Sequence, residues 1–287
     1  MTAATPEFNA RIARLFVYPV KSCAGVELDQ ADLTETGLDL DRAWMVVDAA
    51  GDFVSQRELP RMALVRPQLK HYEVILRAPG MQALHLNIDG VEQPATVRVW
   101  DDTVPAYDMG DTAAQWFSDF LGTKLRLVRF DPDHQRLSDL KWTAGAQAPN
   151  QFSDGFPLLV ASQASLDGLN AKLVAAGHAG VGIERFRPNI VLDGVEAHDE
   201  DRVGELRVAA GQEVLLRLVK PCARCPIPDI DPATALSSPL VGDTLRAYRR
   251  DERVNGAITF GMNAIVTAGA DQTLRVGQHV TADWRFD

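Results

Sequence analysis

Pro221-Cys222-Ala223-Arg224-Cys225-Pro226, with Asp231-Pro232-Ala233-Thr234 close behind, holds two of the chain's three cysteines. Residues 213–220 before it, Glu-Val-Leu-Leu-Arg-Leu-Val-Lys, read as an apolar strand. Pro221 has no N–H to give a ladder, so the strand is expected to stop there. The thiols then sit at a strand end, where side chains face a ligand while the backbone stays fixed. Arg224 between them favours a thiolate, the form of sulfur that binds metal or attacks. A structural zinc site needs four ligands, and neither Cys23 nor the six histidines supply a second pair at suitable spacing. A thioredoxin-like dithiol opens a helix in a βαβ unit, whereas Pro226-Ile227-Pro228-Asp229 is poor helix chemistry. On the motif alone, idle half-buried thiols, a redox pair and a metal ligand all remain open.

The rest of the composition narrows the class. A chain of 287 residues makes one large or two ordinary domains with an ample core. Its 46% hydrophobic and 24% charged content is that of a soluble globular protein. A net charge of −10 argues against nucleic acid as the main partner, which would need a basic face, but leaves room for a local basic pocket. An odd number of cysteines points to a reducing compartment. No apolar run approaches the roughly 20 residues of a membrane helix, so no membrane partner is expected. Arg11 and Arg14 are not followed by a signal-peptide core, and a cytoplasmic location is expected.

In chain order, residues 1–10 read as a flexible terminus and 11–20 as a strand ending at Lys21-Ser22. That charge and hydroxyl together form a small anion-binding unit. Strands follow at 28–33 and 43–47. Arg42 enters the second of these, and Gln56-Arg57 follows Phe53-Val54 in the same way; such arginines need partners if buried. Alternating strands at 72–77 and 95–100, punctuated by Pro79-Gly80 and Asp89-Gly90, imply a barrel or folded sheet. Residues 111–121 read as a helix with Asp111 as N-cap and Gly122 as stop. A strand is expected at 124–130, and 135–150 reads as a mobile loop or lid. Ser162 caps a helix faced by Leu166, Leu169 and Leu173. Arg185, Arg187 and Asn189 crowd a strand entrance suited to phosphate or carboxylate. A short helix at 244–250 carries Arg246, Arg249 and Arg250, with Arg253 beyond, as the one dense basic surface.

Four motifs occur in an informative order: Tyr18-Pro19-Val20-Lys21-Ser22-Cys23-Ala24-Gly25, Asp41-Arg42-Ala43-Trp44, Arg185-Phe186-Arg187-Pro188-Asn189, and Cys222-Ala223-Arg224-Cys225 with Asp231-Pro232. Together they resemble the MOSC family, named for the C-terminal domain of molybdenum cofactor sulfurase. The likeness is to the branch with a MOSC N-terminal β-barrel region, which includes amidoxime-reducing and hydroxylaminopurine-reducing proteins. The match runs from about residue 11 to the end. It implies a β-rich α+β fold: a MOSC β-barrel core over residues 124–287, an N-terminal barrel-like region over 11–123, and a few helices.

The resemblance also implies roles. Cys225 matches the thiolate that ligates molybdenum and is the catalytic residue; Cys222 matches a neighbour that is not the ligand. Lys21, Ser22, Arg42, Asp154, Gly155, Arg187, Asn189, Ala223 and Arg224 match positions that hold the molybdenum cofactor, a molybdopterin. Gly155 stands where the family often has threonine, and Asn263 where animal members have tyrosine. The implied activity is reduction of N-hydroxylated compounds to amines or amidines. The alternatives are a non-catalytic carrier of the cofactor or of a persulfide, and a dithiol redox protein. No cysteine follows Cys225, so no iron–sulfur cluster is expected in this chain. A separate electron-donor protein is therefore implied; the Arg246–Arg253 run reads first as a solvated helix face and second as a candidate dock for that donor.

Overall fold

The computed structural model describes residues 8–285. Seven strands close on themselves: β1 (Phe8–Val17), β2 (Leu158–Ser162), β3 (Ile190–Asp193), β4 (Val203–Val208), β5 (Val214–Ala223), β6 (Ala257–Ala268) and β7 (His279–Trp284). Their order is β2-β3-β1-β7-β4-β5-β6, and β6 returns to pair with β2. The β2–β3 pair is parallel, and helix α2 (Gln163–Ala175) makes the crossover that a parallel pair requires. The other pairings are antiparallel. Ile12, Leu15, Val160, Leu192, Leu206, Leu216, Ala264 and Val280 are buried in one cluster. Each large side chain among them contributes roughly 1.5–3 kcal/mol by leaving water.

The first strand starts earlier than the sequence suggests. Phe8, Asn9 and Ala10, assigned to the flexible terminus, pair with Ala282, Thr281 and Val280. Residues 1–7 lie outside the described residues. Strand β1 belongs to the barrel built by the second half of the chain, so the sheets do not divide where the sequence does.

Residues between β1 and β2 add a four-stranded antiparallel sheet in the order Trp44–Val47, Arg126–Phe130, Asp102–Asp108, Gln93–Val99. A three-stranded sheet covers Arg66–Leu69, Glu73–Arg77 and Leu84–Asn87. Helix α1 (Gly110–Leu121) buries Trp116, Phe117 and Phe120, and Gly122 caps it in the left-handed conformation. Its start departs from expectation. Met109 is at the N-cap with no side-chain bond, Asp108 accepts the Gly110 amide, and Asp111 pairs instead with Arg126.

Three further expectations are corrected. Strand β5 runs through Pro221 to Ala223, because bulges between Leu218 and Lys220 and between Pro221 and Ala223 shift the register around the residue that cannot donate. The expected lid at 135–150 is pinned. Buried Arg136 donates to Asn150 Oδ1, Gln151 O and Ser153 O and pairs with Asp102. The last helix, α3, is Leu240–Arg246, and the basic surface is largely neutralised. Arg246 pairs with Asp243, Arg253 with Asp251, and Arg249 is buried against Asp201. Ser162 does cap α2, accepting from Ser165 N.

Candidate functional site

Strand β1 continues past Val17 into the turn that carries Lys21 and Ser22, and this turn is zipped to the second motif. Arg42 N donates to Tyr18 O at 2.9 Å, Trp44 N to Pro19 O at 3.0 Å and Lys21 N to Trp44 O at 2.8 Å. Arg42 O accepts from Phe152 N at 3.2 Å, which brings in the loop before β2. At the other side, β5 ends at Cys222 and Ala223, and Arg224 N donates to Ile258 O of β6. One cleft forms between these segments. Lys21, Ser22, Arg42, Asp154, Gly155, Arg187, Asn189, Ala223, Arg224 and Cys225 all line it, as do Cys222 and Asn263. Cys23, the third cysteine, is buried elsewhere, and burial raises its thiol to about 12 against the opposing pull of Arg187.

Tyr18 is the platform for the cations. Its buried ring carries the Arg42 and Arg187 guanidinium groups, each 4.3 Å from the centroid, and its hydroxyl donates to Pro188 O at 3.2 Å. Gly25 must lack a side chain, because a Cβ there would sit 2.5 Å from Tyr18 Cε1. Arg42 pairs with Asp41 and donates to Asn189 Oδ1 and Arg187 O. Arg187 donates to Cys23 O at 2.6 Å and pairs with no carboxylate among the described residues. Burial, and then the like charge of Arg42, pull Arg187 down to about 10. Two guanidinium groups thus share one ring and one carboxylate, a local positive excess inside an acidic chain.

Lys21 is buried, with Nζ donating to Phe152 O at 2.8 Å and to Asp154. Burial lowers its pKa, against the Asp154 charge and hydrogen bond, which raise it. The Asp154 side chain is 67% exposed to the cleft mouth. The loss of water on its packed side acts to raise its carboxyl, but the Lys21 charge and hydrogen bond outweigh this and hold it well below the usual range. Arg224 donates to Cys222 Sγ at 2.9 Å and Phe186 O at 2.9 Å, while its buried Nε has no partner among the described residues. Cys225 is free and half-buried. Asn189 lines the cleft and is also bonded to three segments around it. Its amide is spent within the protein, accepting from Leu159 N and Arg42 and donating to Phe16 O. It positions Arg42.

Ser22, Arg42 and Arg187 all have left-handed backbones, with φ of 66°, 53° and 57°. Such conformations cost about 1–3 kcal/mol each and persist only where surrounding contacts impose them. Sequence reading missed Ser55, Arg57 and Ser153 as cleft residues. The only signal was an arginine following the apolar Phe53-Val54. Arg185, which shares the strand entrance with Arg187 and Asn189, pairs with Asp231 and donates to Pro228 O. Among the described residues, no three His, Cys, Asp or Glu side chains come together to hold a metal. No helix among them is long and apolar enough to cross a membrane.

Residues 9–124 match the family model described as MOSC N-terminal beta barrel domain, and residues 147–281 that described as MOSC domain. The chain is 35% identical over 253 residues to mitochondrial amidoxime-reducing component 1 of Mus musculus, covering 83% of this chain and 71% of the relative. It is 34% identical over 253 residues to mitochondrial amidoxime reducing component 2 of Homo sapiens, covering 83% and 72%. Molybdenum cofactor sulfurase of Bos taurus is 28% identical over 286 residues, which span 94% of this chain but 32% of that protein.

Proposed function

This chain belongs to the MOSC family, with the MOSC N-terminal β-barrel domain followed by the MOSC domain, and from that premise we propose a molybdenum-cofactor reductase of N-hydroxylated compounds. The observation that carries the reading is the convergence of Lys21, Arg42, Arg187 and Arg224, from four distant segments, on the cleft that holds Cys225. Family membership and these relatives support a molybdenum-cofactor role; reduction of N–OH groups is the finer step.

The residues fit the group. The cofactor brings a phosphate and a dithiolene, both anionic. The cleft offers an Arg42–Arg187 pair with one carboxylate and a buried Arg224 Nε with no partner among the described residues. A soft thiolate suits a metal already bound by sulfur, and Cys225 would be that ligand. Arg42, Arg187 and Arg224 would hold the anionic groups, with Ser22, Gly155 and Ala223 as cleft wall. When bound, the cofactor supplies two-electron chemistry that removes oxygen from nitrogen. Overall, the N–O bond breaks, two electrons and two protons are consumed, and the amine or amidine leaves with water. Lys21 holds a proton at Nζ between Phe152 O and Asp154, inside the cleft. The electrons would come from a separate donor protein.

The test is expression in a host that makes the cofactor, followed by metal and pterin analysis and turnover of benzamidoxime with a chemical reductant. Wild type and Cys222→Ser should carry molybdenum and turn over, whereas Cys225→Ser should lose turnover by orders of magnitude. Equal loss in both variants would point to a dithiol. A molybdenum-loaded wild type that turns over no N–OH compound, with a labile extra sulfur on Cys225 by intact mass, would establish a carrier instead.

A further inference from the structure

Beside the cofactor residues, the mouth of the cleft carries an aromatic and cationic stack. Gln93–Val99 and Asp102–Asp108 form a hairpin whose last pair is Val99 with Asp102, so Trp100 and Asp101 make its two-residue turn. Trp100 has φ of 56°, a conformation that such turns normally give to Gly or Asn. It is also 44% exposed. A large apolar side chain on a strained backbone at a hairpin tip serves no core.

Two of its three contacts, Asp154 and Arg57, are cleft residues. Trp100 Nε1 donates to Asp154 Oδ1 at 3.3 Å, the same carboxylate that pairs with Lys21. The Arg57 guanidinium lies 4.6 Å from the Trp100 ring centroid, and Phe53 meets that ring edge-on at 4.9 Å. Arg57 is a cleft residue. It is tethered only at Nε, to Ser55 Oγ at 3.1 Å and to Glu58 at 3.9 Å. The rings and these contacts hold the cation at the cleft without a bidentate ion pair.

We infer that Arg57, held over the Trp100 ring, forms with it the wall on which a planar conjugated substrate stacks. The favoured class is an N-hydroxylated heteroaromatic base or aryl amidoxime, over aliphatic N-hydroxy compounds. The inference rests on the reductase reading for the substrate's N–OH group. The stacking wall itself is a feature of this chain's residues. A guanidinium plane and an indole both accept flat π-systems, and stacking tolerates many rings because each presents a π-face.

The test compares 6-hydroxylaminopurine with acetamidoxime in molybdenum-loaded wild type, Trp100→Ala, Trp100→Phe and Arg57→Met. It also measures adenine binding to the same proteins by calorimetry, without turnover. Alanine at Trp100 and methionine at Arg57 should raise KM for the purine about tenfold and weaken adenine binding about as much. Acetamidoxime KM should stay within about twofold, and molybdenum content should not change. Trp100→Phe should restore most of the loss. Equal KM changes for both substrates, or unaltered adenine affinity, overturn the inference. Loss of molybdenum from Arg57→Met does so too, by making Arg57 a cofactor residue. Loaded wild type that reduces neither substrate but binds adenine through Trp100 would sink the reductase reading and leave the wall standing.

Discussion

Replacing Arg187 with methionine separates a cleft built for an anion from one whose cations merely brace the fold. The fall of Arg187 from 12.5 to about 10 corresponds to about 3 kcal/mol of unfavourable charge burial, at 1.36 kcal/mol per pH unit. Methionine is flexible and fills nearly the same channel over Tyr18 without the charge. The variant loses the hydrogen bond to Cys23 O and the cation–π contact with Tyr18, which together take back about 2 kcal/mol. The cofactor-free protein should therefore come out about 1 kcal/mol more stable than wild type, or a few degrees higher in melting temperature. The opposite holds for loading. In cofactor-making cells, Arg187→Met should retain several-fold less pterin and molybdenum, because one of the two cations facing the anion is gone. Thermal melts of cofactor-free protein and pterin analysis of loaded protein decide the matter. A variant destabilised by more than about 2 kcal/mol, with undiminished loading, would refute the reasoning and make Arg187 a structural brace.

Two further outcomes follow from charges away from the cleft. Glu200 is fully buried and accepts from Ser162 N, Ser162 Oγ and Ser165 Oγ; burial and then Asp201 raise it from 4.5 to about 7. The folded state holds this proton more tightly, so the associated stability is present below about pH 4.5 and is lost as pH rises towards 7. Glu200→Gln should therefore gain about 2–3 kcal/mol on wild type between pH 5 and pH 8 in urea melts, and an unchanged difference would contradict the assignment. Arg249→Glu places a like charge beside Asp201, whose pair with Arg249 is nearly nine-tenths buried on both sides. Stability should fall by about 3–5 kcal/mol, while Arg246→Glu and Arg250→Glu stay near wild type; equal melting temperatures across all three would restore the idea of a free basic dock.

The cleft was legible because its residues lie in short motifs whose order the family shares, and all ten expected positions line it. Their pairings were not, since these depend on where distant backbone goes. Nothing local says that Asn189 turns its amide inward to Phe16 O and Leu159 N, or that Arg136 finds Asp102 and Ser153 O and pins the supposed lid. Trp100 and Arg57 are 43 positions apart and meet only because the hairpin folds over Asp154. The barrel's closure was hidden for the same reason: β1 pairs with strands at 190–193 and 279–284. Some failures were readable locally. Asp243 lies one turn before Arg246 and Asp251 two residues before Arg253, so the basic surface carried its own neutralisation.

The two halves of the chain also depend on one another at the site. The sulfur of Cys225 comes from the end of β5, but Lys21, Ser22 and Arg42 come from the continuation of β1 and the hairpin zipped to it. Asn189 sits at the join, bonded to β1 at Phe16 O, to β2 at Leu159 N and to Arg42. Movement of β1 in the barrel would therefore shift Tyr18, and with it both guanidinium groups. Three left-handed residues and a like-charge pair are costly to maintain without a ligand. Anchored to a closed seven-stranded barrel, the cleft would stay formed and positively charged before the proposed anionic cofactor enters, so binding need not build the site.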